Sequence, residues 1–108
     1  MADARIVLTT VADPDAAAKL AHEVVERRLA ACVNIVGPIR SVYRWEGRVQ
    51  DDSEFLLVMK TTAEQAAKLR ATLKSLHPYE LPACIEFAVT GGSEEYLAWI
   101  AAETSGVP

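Results

Sequence analysis

The stretch Ala31-Cys32-Val33-Asn34-Ile35-Val36-Gly37-Pro38-Ile39-Arg40-Ser41-Val42-Tyr43-Arg44-Trp45-Glu46-Gly47 decides the fold. Apolar and β-branched residues fill it, as in a strand. Gly37-Pro38 falls in mid-run, which marks a bulge or bend in one long strand. Glu46-Gly47 reads as a hairpin turn. Val49 to Lys60 reads as the returning strand, and its interior, Phe55-Leu56-Leu57-Val58-Met59, is apolar on both alternating faces. A long hairpin therefore sits at the centre of the chain.

Working outward, each side of the hairpin carries one strand and one helix. Arg5 to Val11 is a β-branched, nearly continuous run that suits an inner strand. Asp13-Pro14 opens a helix, with Asp as cap and Pro at the first helical position. Ala17, Leu20, Ala21, Val24 and Leu29 then recur at helical spacing, so the helix is expected to reach about residue 30. After the hairpin, Thr61 and Thr62 precede Glu64 and Gln65, which gives two overlapping capping-box patterns. Ala66, Leu69, Leu73 and Leu76 form the expected buried stripe of a second helix, and His77-Pro78 stops it. A fourth strand is expected over Ala83–Thr90. Gly91-Gly92-Ser93 turns the chain into a short helix from Glu94 to about Ala102.

The order is βαβ-βαβ plus a C-terminal helix, within a single domain spanning residues 1–108. Two such halves make an α+β, ferredoxin-like sandwich: a four-stranded antiparallel sheet with helices on one face. The other sheet face then lacks cover. An apolar sheet face with open edges is an association surface, so the chain is expected to be a homo-oligomer.

Composition narrows the function. Of 108 residues, 51% are apolar and the formal charge is −4, which argues against a phosphate-backbone partner and so against nucleic acid. No apolar run is long enough to span a bilayer, and Met1 to Arg5 do not open a secretory signal, so no membrane partner and a cytoplasmic location are expected. The two cysteines, Cys32 and Cys84, read as free thiols, with buried structural thiols as the plain alternative. No Walker loop, dinucleotide fingerprint or nucleophile elbow occurs, so neither an enzyme nor an organic cofactor is expected.

The site-like segments are few. His77-Pro78-Tyr79-Glu80 brings an imidazole, a phenol and a carboxylate into a helix-ending loop, where such groups are often positioned for binding. Tyr43 and Trp45 share one face near the hairpin tip, fit either for a ligand or for packing between subunits. Glu86 shares a strand face with Cys84, and Lys60 is its expected ion-pair partner. His22 lies on the polar face of the first helix and is expected to be solvated.

Leu29-Ala30-Ala31-Cys32-Val33-Asn34, Tyr43-Arg44-Trp45-Glu46-Gly47, Lys60-Thr61-Thr62, His77-Pro78-Tyr79-Glu80 with Pro82, and Tyr96-Leu97-Ala98-Trp99 together resemble the CutA divalent-cation tolerance family. The resemblance runs over about residues 5–102. It implies a ferredoxin-like fold, a tight homotrimer like that of the PII proteins, and tolerance to copper and other divalent cations. In members with a proposed copper site, a cysteine near the end of the first strand and two adjacent histidines contribute. Here Thr9 and Leu76-His77 stand at those places, so only His77 carries over. The expected metal ligands are therefore His77 with Cys32 and Cys84, for copper or another divalent cation. The alternative expectation is a PII-like signalling trimer that binds a small ligand in intersubunit clefts lined by Tyr43, Trp45, Lys60, Tyr79, Glu80 and Glu86.

Overall fold

The computed structural model describes residues 3–105. Seven elements follow one another: β1 (Ala4–Val11), α1 (Pro14–Glu26), β2 (Cys32–Trp45), β3 (Arg48–Thr62), α2 (Ala63–Leu76), β4 (Ile85–Ala88) and α3 (Glu94–Glu103). The strands form one sheet in the order β2-β3-β1-β4, and every pairing is antiparallel. This is the ferredoxin-like sandwich that the βαβ-βαβ order implies.

The register fixes two unlike faces. Val7, Leu57 and Met59 are wholly buried and pack with Leu20 and Val24 of α1 and Leu69 and Leu73 of α2. Strand side chains alternate, so the residues between them point the other way. Cys32, Lys60, Ile6 and Phe87 align across all four strands on that second face. Val36, Ile85 and Phe87, each 46–55% exposed, leave it apolar and largely open.

The long hairpin forms as the sequence predicts. Its register shifts between Val36 and Ile39, at Gly37-Pro38, and the chain turns at Glu46 and Gly47, both with positive φ. Gly37 is required there because a Cβ would come within 2.6 Å of the Phe55 ring.

Other boundaries differ from expectation. α1 ends at Glu26, not near residue 30, because Arg28 adopts φ 60° and the amides of Leu29 and Ala30 both turn back to the Val24 carbonyl. Leu29 is still buried, so the apolar spacing was sound although the helix had ended. The capping boxes do not form. Thr62 is the α2 cap but its hydroxyl makes no cap bond, and the Thr61 hydroxyl instead donates to the Leu29 carbonyl at 2.6 Å. Leu76 is 41% exposed, lining a groove with Ala16 and Leu20 at the end of α2 rather than the core. β4 covers only Ile85–Ala88, shorter than the expected 83–90; Pro82 has no N–H for a ladder, and pairing with β1 stops at Leu8. α3 docks through buried Ile100, and Gln65 Nε2 donates to the Thr104 carbonyl.

Candidate functional site

A cleft of about 760 Å³ opens where the distal half of the hairpin meets the loop after α2. From the hairpin come Tyr43, Trp45, Asp52 and Glu54; from the loop come Tyr79 and Glu80. Strand alternation brings the hairpin residues to one face, across the Ser41–Asp52 and Ile39–Glu54 pairs.

The loop is held against β1. His77 Nε2 donates to the Thr10 carbonyl at 2.8 Å, and His77 Nδ1 accepts the Tyr79 amide at 3.1 Å. These bonds select the neutral tautomer protonated at Nε2. Burial also depresses the His77 pKa, against a smaller pull upward from the Thr10 bond and the nearby Glu54 carboxylate. The His77 and Tyr79 rings stand 4.7 Å apart. So placed, the Tyr79 phenol donates to Glu54 Oε2 at 2.7 Å, and on the hairpin the Tyr43 phenol donates to Asp52 Oδ2 at 2.6 Å. Burial and then the Glu54 bond push the Tyr79 pKa far up, and the Asp52 bond raises that of Tyr43, so both phenols stay protonated donors.

Of the expected cleft residues, Tyr43, Trp45, Tyr79 and Glu80 come together here, while Lys60 and Glu86 lie elsewhere. The expected Lys60–Glu86 ion pair is absent. Glu86 shares its row with Val7 on the helix-covered face, whereas Lys60 shares its row with Ile6 on the open face. Glu86 binds Arg5 at 2.8 Å and Arg70 of α2, and Lys60 donates to the Tyr96 hydroxyl at 3.1 Å. Asp52 and Glu54 are the cleft residues the sequence reading missed. Both sit in the polar run Gln50-Asp51-Asp52-Ser53-Glu54, and their period-2 spacing opposite Tyr43 was the available signal.

The expected metal ligands are spread out. Both nitrogens of His77 are in hydrogen bonds, so an ion there has to displace one of them. Cys32 is on the open face, 3.7 Å from Asn34 Oδ1. Cys84 is exposed before β4, and its thiol pKa is raised by burial despite the neighbouring Arg70. Thr9 is 1% exposed with no partner for its hydroxyl, in register with Leu57 on the core face. Among the described residues, no three His, Cys, Asp or Glu side chains gather to hold a metal ion within one chain. No helix among them is long and apolar enough to cross a membrane.

The sheet order and this cleft define a ferredoxin-like α+β protein with a small-molecule-sized depression beside its central hairpin. Residues 5–103 match the family model described as "CutA1 divalent ion tolerance protein". The chain is 44% identical over 99 residues to the divalent-cation tolerance protein CutA of Thermus thermophilus, an alignment that covers 92% of this chain and 96% of that one. It is 46% identical over 95 residues to the chloroplastic protein CutA of Arabidopsis thaliana, covering 88% of this chain but 52% of the longer plant protein. The crystal structure of CutA from Xylella fastidiosa superimposes with a TM-score of 0.92 at 36% identity, over 94% of this chain and 98% of that one. This chain belongs to the CutA1 family of divalent ion tolerance proteins.

Proposed function

We propose that this protein serves divalent-cation tolerance as a cytoplasmic homotrimer that binds the cation, copper included, at sites completed between subunits. The observation that carries this reading is the place of Cys32. It lies on the open apolar sheet face, in line with Lys60, Ile6 and Phe87. Association that covers this face sets the Cys32 thiol against a neighbouring copy, which can supply further ligands. Thiolate is the ligand type that selects Cu(I). Cys84 and His77 are the further donors, each weaker by itself: the Cys84 thiol has a raised pKa, and His77 must give up a hydrogen bond.

The test is light scattering with copper titration. The expected mass is three times the 11.7 kDa chain, with saturable binding of Cu(II), and of Cu(I) under reducing conditions, that Cys32→Ser abolishes while the trimer persists. A monomer, or copper binding indifferent to Cys32, sinks the reading.

A second reading is favoured by the cleft itself. Its volume of about 760 Å³ falls within the range of small-molecule sites. In this reading the protein is a PII-like signalling trimer whose intersubunit clefts include this depression, take a small ligand there and pass their state to another protein.

A further inference from the structure

Among the described residues Glu54 is the only buried carboxylate, at 7% exposure. Its Oε2 accepts the Tyr79 phenol, its Oε1 is open to the cleft, and Glu54 forms no ion pair among the described residues. A carboxylate enclosed on most sides gains from a cation on its open side, where the attraction is less screened than in bulk water. Glu86 shows the usual arrangement here, with Arg5 and Arg70 both upon it. Glu54 has a neutral phenol instead, and it lines the cleft.

The rest of the lining has the same bias. Asp52 and Glu80 add two more carboxylates, neither of them in an ion pair, and among the described residues of the chain no Lys, Arg or His lines the cleft. Such a surface repels phosphates and other anions. The aromatic faces of Tyr43, Trp45 and Tyr79 border the same space. Aromatic rings attract cations and also bury apolar surface. A bare metal ion fits less well, since the carboxylates are not gathered into a coordinating group.

We propose that this cleft binds an organic cation: a protonated amine that pairs with Glu54 and Asp52 and lays an apolar body against Tyr43 and Trp45. The proposal deepens the second reading above and rests on it. It turns that reading away from nucleotide-like anions. The carboxylates supply charge-assisted hydrogen bonds, and the phenols hold them in place.

The test uses the full chain with three probes: phenethylamine, its neutral analogue 2-phenylethanol, and ATP. With Trp99 changed to Phe, Trp45 is the only tryptophan and its fluorescence reports the cleft. Phenethylamine is expected to saturate the signal and to give heat on the unaltered chain. Glu54→Gln keeps an acceptor for Tyr79 and removes the charge, so affinity should fall at least about tenfold. Should Glu54→Gln not fold, Asp52→Asn and Glu80→Gln at exposed positions carry the same test, and either is expected to weaken amine binding. Equal binding of the alcohol, saturation by ATP, saturation by Mg(II) or Zn(II) but not the amine, or carboxylate variants with unchanged amine affinity would each overturn the cationic assignment. In the cases of ATP or the alcohol, the small-ligand reading survives. Silence from every probe overturns both, and leaves the copper test at Cys32 untouched.

Discussion

His77 Nε2 stands 2.8 Å from the carbonyl oxygen of Thr10, so the residue that stops α2 also fastens the following loop to β1. His77→Ala removes this bond and the acceptor for the Tyr79 amide. The expected loss is about 1–3 kcal/mol in urea denaturation, with faster amide exchange across 78–83. The bond also sets a pH dependence. The folded pKa of His77 lies below its ordinary value of 6.5, so the unfolded chain binds the proton more readily. This contribution is complete above about pH 6.5 and is lost as pH falls through that value toward the lowered folded one. The slope on the acid side should shrink in His77→Ala; an unchanged slope would remove His77 as its source.

Thr61→Val is nearly isosteric and deletes the buried hydroxyl that donates to the Leu29 carbonyl. The bond is what ties the segment after α1 to the end of β3. A loss of about 1–3 kcal/mol is expected in denaturant unfolding. Thr62→Val, at the cap whose hydroxyl makes no cap bond, should cost less.

Gly37→Ala places a Cβ within 2.6 Å of the Phe55 ring and 3.2 Å of the Glu54 carbonyl. Overpacking of this kind costs typically about 1–3 kcal/mol. Because the displaced strand carries Glu54, amine binding in the cleft should weaken along with the midpoint. Gly47→Ala meets no atom within 4 Å, so its smaller cost comes only from φ 77°.

Two ion pairs of similar distance should behave differently. Glu86→Gln disturbs a carboxylate whose side chain is only 19% exposed and which holds Arg5 and Arg70. A measurable fall in the thermal midpoint is expected. Arg40→Ala breaks a pair in which the Arg side chain is 79% exposed, where water and salt screen the attraction. Its midpoint should not move.

Phe87→Glu puts a charge on the edge strand β4, on the open sheet face, without touching the core. Light scattering should show dissociation toward the single chain, with circular dichroism retained. A mass unaffected by the change would place the association surface elsewhere.

The hairpin was readable because its signals are local. Gly37-Pro38 and Glu46-Gly47 announce a bulge and a turn through backbone chemistry alone, and alternation puts Tyr43 and Trp45 on one side. The end of α1 was not readable. Leu29 keeps the helical spacing and is buried, but it gets there through the left-handed turn at Arg28 rather than through another helical turn. The capping boxes failed for a related reason: a buried carbonyl at Leu29 competes for the Thr61 hydroxyl, and no local pattern reveals it.

The sequence by itself determined the order of elements, the α+β class, the apolar second face of the sheet and the family. Each of these follows from periodicity, turn chemistry or motifs carried within short stretches. Only the tertiary structure decided which charges meet. Lys60 and Glu86 look like partners along the chain, yet their registers with Ile6 and Val7 send them to opposite faces. Glu54 looks like one acid among several, yet the loop after α2 folds over it and leaves its charge facing a cleft without a cation. Charge pairing depends on distances of a few ångströms between distant segments, and those distances exist only once the sheet has its register.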